Sequence, residues 1–147
     1  MKLLDVLYTW IAGSKAEFAN QFRNNDALYS QALAFWNKLS GTFLWLFIVL
    51  LLVCFMAAYI YFGPYNNRPG RHYKPTHWCG ALVINFVIIL IGSFLIEYFI
   101  ADPRLDGAMV LEIKIALINA FYSLLLYLLF SWIWRKYFPT NAYRCLW

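Results

Sequence analysis

The sequence predicts an all-α integral membrane protein with three transmembrane helices and an N-terminal amphipathic helical arm. Three observations carry that reading. The chain of 147 residues is 63% hydrophobic and only 13% charged, whereas a soluble domain carries roughly 25% charged residues. So few charges cannot cover a water-facing surface. No charge falls between Lys38 and Arg68, between Lys74 and Glu97, or between Lys114 and Arg135. Aromatic residues gather at the ends of those gaps, among them Trp36, Trp45, Tyr59, Tyr61, Tyr65, Trp78, Trp132, Trp134 and Tyr137, where an amphipathic ring prefers the headgroup level. The composition also excludes disorder, and the length holds one domain at most.

Residues 1–40 read as the arm. Leu3, Leu7, Trp10 and Ile11 form one apolar stripe at helical spacing, and Leu28, Phe35, Trp36 and Leu39 form another. Gly13-Ser14 and Asn24-Asn25 interrupt the pattern. The expectation is two short amphipathic helices, the first lying in the membrane interface and the second running into the first span. Phe18 and Phe22, four residues apart, share a face and with Trp36 are candidate contacts for a partner; packing against the rest of the chain is the competing expectation. Asp5 interrupts the early apolar run and Lys2 is a thin basic region, so the N-terminus is expected to be retained rather than cleaved as a signal peptide.

Residues 41–138 read as the membrane domain, with spans at 42–62, 79–100 and 113–134. Crossing about 30 Å of hydrocarbon takes about 20 helical residues. A helix pairs its own backbone N–H and C=O groups, as lipid demands. None of the three stretches shows the alternating period of a barrel strand. Residues 139–147 form a short basic tail.

The first loop, 63–78, interleaves basic and aromatic residues, and its three prolines and two glycines argue against a regular helix. Arg68, Arg71 and Lys74 in the loop, with Arg135 and Lys136 after the third span, are expected to meet anionic lipid headgroups or a partner. No recognition motif accompanies the charge, so nucleic acid is not expected. Three spans place loop 63–78 and the tail on one side. That side holds six basic residues and no acid, against four basic residues near the span ends and all seven acids on the other. Basic residues favour the cytoplasm, which predicts a cytoplasmic loop and C-terminus, an outside N-terminus and a bacterial inner-membrane location.

The second loop, 101–107, is short and makes the second and third spans a hairpin. Folding it about Arg104–Leu105 places Glu97 near Glu112 and Lys114, and an ion pair between Glu97 and Lys114 is expected, with proton or ion handling at Glu97 as the functional alternative. Asn119, Ser123, Tyr127 and Ser131 recur at four-residue spacing along the third span. Asn85, Gly92 and Ser93 answer on the second. Small and polar residues at such positions hold helices together, so Asn85, Gly92, Ser93, Asn119, Ser123 and Tyr127 are the expected packing residues.

Chemistry-bearing patterns are sparse. Cys79 and Cys145 share a side that is expected to be reducing, which disfavours a disulfide. His72, His77 and Cys79 do not make a closed metal set. Asp102 and Asp106 flank Pro103 as a turn would. No phosphate-binding glycine loop or nucleophile elbow occurs. No catalytic residue, metal or cofactor is therefore expected. The function these features predict is a non-enzymatic membrane subunit that assembles with itself or with other membrane proteins in a larger complex, such as a secretion or envelope machine. An immunity protein that binds a membrane-active toxin, and a subunit of an oligomeric channel, are the alternatives.

Overall fold

The computed structural model describes residues 2–70, 73–100, 105 and 107–142, with the side chains of residues 2, 3 and 5 left aside. The described residues are helical throughout their regular structure, and three of the helices are long and apolar enough to cross a membrane.

Helix α1 covers Lys2–Ala12 and α2 covers Lys15–Asn20. Between them Gly13 takes φ +91° and donates its N–H to the Thr9 carbonyl at 2.9 Å, the left-handed ending that glycine permits. Ser14 then starts α2 with a reciprocal capping box. Its Oγ accepts from the Glu17 N–H at 3.2 Å, and its own N–H donates to Glu17 Oε2 at 2.6 Å.

Helix α3 runs for 35 residues, Asp26–Ile60. Asn25 begins it by accepting from the N–H groups of Ala27 and Leu28. The expected span 42–62 is thus the later part of a longer helix, since Ala27, Leu28, Gln31, Ala32 and Leu33 all favour helix and no proline intervenes. At about 1.5 Å per residue α3 is about 52 Å long, well beyond the roughly 30 Å of a hydrocarbon core.

The helix does not stop at Gly63-Pro64, as the loop composition suggested, but widens into a π turn over Tyr61–Tyr65. Pro64 supplies no N–H, and the carbonyls left over find other donors. Asn66 Nδ2 and the Asn66 N–H both donate to the Tyr61 carbonyl, at 2.6 and 3.2 Å, and Thr140 Oγ1 donates to that of Phe62 at 2.8 Å. Helix α4, Pro75–Ile100, begins four residues before the expected boundary, because the first helical position tolerates proline. Helix α5 covers Ala108–Tyr137.

The chain forms two compact units, Met1–Ile48 with Leu90–Asn119, and Val49–Ile89 with Ala120–Trp147. In the first, Tyr8 stacks on Phe43 with centroids 4.5 Å apart, and Phe18 packs against Phe22, Phe35 and Trp36 at 5.6, 5.6 and 6.0 Å. Phe18 and Trp36 are buried and Phe22 half-buried. The arm aromatics expected to face a partner are therefore turned onto their own chain: a six-residue helix is marginal alone and is held by burying Phe18. On α1, Tyr8 and Ala12 are inside, while Trp10 and Ile11 of the apolar stripe are exposed, and the Tyr8 hydroxyl has a partner within the unit. In the second unit Ala58, Tyr61, Phe62, Tyr127, Trp134 and Ala142 form the core.

The apolar surface otherwise points outward. Only 17% of the most apolar stretch of α4 is buried, and Ile84 and Leu125 are more than half exposed. Such a surface suits hydrocarbon and not water.

Candidate functional site: buried polar contacts and an apolar groove

In the first unit a polar chain links three helices. The Tyr8 hydroxyl donates to Asn119 Oδ1 at 2.7 Å, and Asn119 Nδ2 donates to Ser93 Oγ at 3.1 Å. Ser93 and Asn119 lie on the faces that the sequence pattern singled out; Tyr8 did not stand out in it. A Cβ built on Gly92 meets nothing within 4 Å among the described residues, so no close backbone approach is seen there.

Glu97 and Glu112 are both buried in this unit, close enough to act on one another electrostatically. Neither Glu97 oxygen has a hydrogen-bond partner among the described residues. Lys114 is exposed, and the expected Glu97–Lys114 ion pair is not formed. The reason is angular: two residues on from Glu112 is about 200° around a helix, so the lysine leaves the face that carries the buried carboxylate. Elsewhere in the unit Lys15 Nζ donates to Asn37 Oδ1 at 2.9 Å, fixing α2 to the exposed part of α3.

In the second unit Asn85 Nδ2 donates to Cys54 Sγ at 3.4 Å, and Cys54 Sγ in turn reaches the Ser123 carbonyl at 3.7 Å. Asn85 therefore meets the Ser123 region through a thiol. Asn85 Oδ1 has no donor. The Ser123 hydroxyl donates to Ala120 of its own helix, so its interhelical contact is made by backbone and not by side chain. Trp78 Nε1 donates to Ser131 Oγ at 3.3 Å, and the Trp78 ring lies 6.0 Å from the ring of buried Tyr127. Cys54 and Trp78 escaped the pattern search. A thiol in the middle of an apolar run was the available signal for the first.

Of the basic residues, Arg68, Lys74 and Lys136 are exposed and Arg135 is half-buried. Lys136 Nζ sits 5.0 Å from the Trp132 ring and 5.4 Å from that of Tyr137, a cation held over aromatic faces. Arg71, His72, Arg104, Asp102, Asp106 and Cys145 lie outside the described residues. Cys54 and Cys79 are free thiols, the second exposed.

Also in the second unit, α3 with its π turn and α4 form the walls of a groove of about 620 Å³. At one end the Tyr65 hydroxyl and His77 Nδ1 are 3.1 Å apart and join the walls. Ala57, Gly80 and Ala81 line its middle, and Leu52 and Ile88 its far end. These contacts bind helices to one another and leave an apolar groove beside them.

No protein-family model, curated protein or solved structure matches the chain.

Proposed function

We propose that this chain is a non-enzymatic polytopic membrane subunit that acts by assembling in a larger membrane complex, with itself or with other membrane proteins. The observation that carries the reading is the length of α3 together with what is folded on it. A helix of 35 residues is longer than the hydrocarbon it would cross, and its first turns are dressed by α2 through the Phe18 cluster and the Lys15–Asn37 bond. The result is an ordered surface around the start of α3, fit to be presented to other proteins. Loop and tail cations supply contacts to anionic headgroups, and their distribution favours a cytoplasmic loop and C-terminus with the N-terminal arm outside the bacterial inner membrane.

Native mass spectrometry from a mild detergent, on protein expressed at its natural level in its own host, tests this. A complex containing a second copy or another membrane protein is the expected result. A lone monomer overturns the reading.

A further inference from the structure

We propose that the groove between α3 and α4 is a site for one anionic phospholipid, with an acyl chain along the groove and the phosphate at the Tyr65–His77 end. The inference rests on the chain being embedded in lipid and adds a ligand to that reading.

The groove is graded in the way such a molecule is. One end offers the hydroxyl of Tyr65, the His77 ring and Thr76, and from there to Ile88 the lining is apolar apart from Tyr61 and Asn85. Its volume of about 620 Å³ lies within the 300–1,000 Å³ typical of small-molecule sites. Charge complementarity selects the headgroup. The segment that joins the two walls, residues 66–74, contains basic residues and no acid. Arg68 and Lys74 are exposed in it, and Lys74 is two residues from Thr76 in the wall. The positive end of α4, 26 residues long, opens at the same place and adds to the attraction.

The Tyr65–His77 contact bridges the two walls at one end, so a guest lies along the groove and not across that end. An acyl chain enters from the open side and leaves its headgroup above that bond. The middle of the groove also has room for a thin guest and not for packing. A Cβ built on Gly80 meets nothing within 4 Å.

The experiment is lipid retention by the full chain. Protein reconstituted in vesicles of equal phosphatidylglycerol and phosphatidylcholine is extracted in mild detergent and weighed intact. One retained phosphatidylglycerol is expected, favoured over phosphatidylcholine by about five-fold for each basic side chain that contacts it. Gly80→Phe, whose ring fills the groove, reduces retention of both lipids to background. Lys74→Glu, at an exposed position that leaves the fold intact, keeps a bound lipid and loses the preference for phosphatidylglycerol. Equal retention of the two lipids by the unaltered chain overturns the proposal. So does an unchanged preference in Lys74→Glu, or a protein cross-linked in native membranes through a photoreactive residue at Ile84. A lone monomer that still selects phosphatidylglycerol would remove the assembly reading and leave the lipid site standing.

Discussion

The Tyr8 hydroxyl donates to Asn119 Oδ1 across 111 residues of sequence, with both side chains fully buried. That bond and the stacking of Tyr8 on Phe43 fix the first helix to its unit, whereas sequence pattern alone placed α1 loosely at an interface. Tyr8→Phe keeps the ring and strands the asparagine oxygen, so it should lower stability by about 1–2 kcal/mol. Tyr8→Ala also empties the ring's place and should cost about 3–5 kcal/mol. Thermal unfolding in detergent, followed by tryptophan fluorescence, checks both. Equal midpoints for Tyr8→Phe and the unaltered chain would show that the bond contributes nothing.

Glu97 is fully buried and neither carboxylate oxygen is hydrogen-bonded among the described residues. Replacing it with Leu removes a polar group that those residues do not compensate, and a gain of about 1–3 kcal/mol is expected, read as a raised unfolding midpoint. Glu97→Gln should change stability little. A large loss in Glu97→Leu would mean that the carboxylate is engaged by a group beyond the described residues.

Asn66 is buried and holds the π turn by donating twice to the Tyr61 carbonyl. Asn66→Ala leaves that carbonyl one donor short and should destabilise the turn by about 1–3 kcal/mol. Hydrogen exchange resolved to residues 61–70 should quicken there first. Uniform change along the chain would contradict a local role.

Glu17 is exposed, and its carboxylate lies below its ordinary value of 4.5 because it accepts from the backbone N–H and the hydroxyl of Ser14. A lowered value in the folded state stabilises at pH above the ordinary value and is lost as pH falls through the folded one. The protection of the α2 amides, measured against their intrinsic exchange rate at each pH, should therefore fall below about pH 4.5, and Glu17→Gln should abolish that pH dependence. Unaltered protection down to pH 3 would remove the capping box from the account of this arm.

Sidedness is checked with a membrane-impermeant maleimide on intact spheroplasts. Cys54 and Cys145 are replaced by Ser, Cys79 is kept in one variant, and Asn24→Cys, at an exposed position, carries the only thiol in another. Asn24→Cys should react at once and Cys79 only after permeabilisation. The reverse pattern inverts the topology.

The three long helices were legible because uncharged runs of that length have few other uses. Their ends were not. Pro64 and Pro75 read as breakers, yet one sits in a widened turn whose carbonyls are taken by Asn66 and Thr140, and the other occupies a first helical position. Thr140 lies 78 residues from the carbonyl it serves, a distance no local window spans. Periodicity placed Ser93 and Asn119 on the right faces, but hairpin register gives only height along a helix. Azimuth decides contact, and it separated Lys114 from Glu97. Phe18 was visible as an aromatic on a helical face; whether that face turned inward depended on Phe35 and Trp36, which local spacing does not report.

The donor that Thr140 provides has a consequence for how the molecule is made. Phe62 leaves the ribosome 78 residues before Thr140, and translation at about 5–20 residues per second separates the two by seconds. Throughout that interval the Phe62 carbonyl is without its Thr140 donor, and the seam closes only when nascent residue 140 arrives.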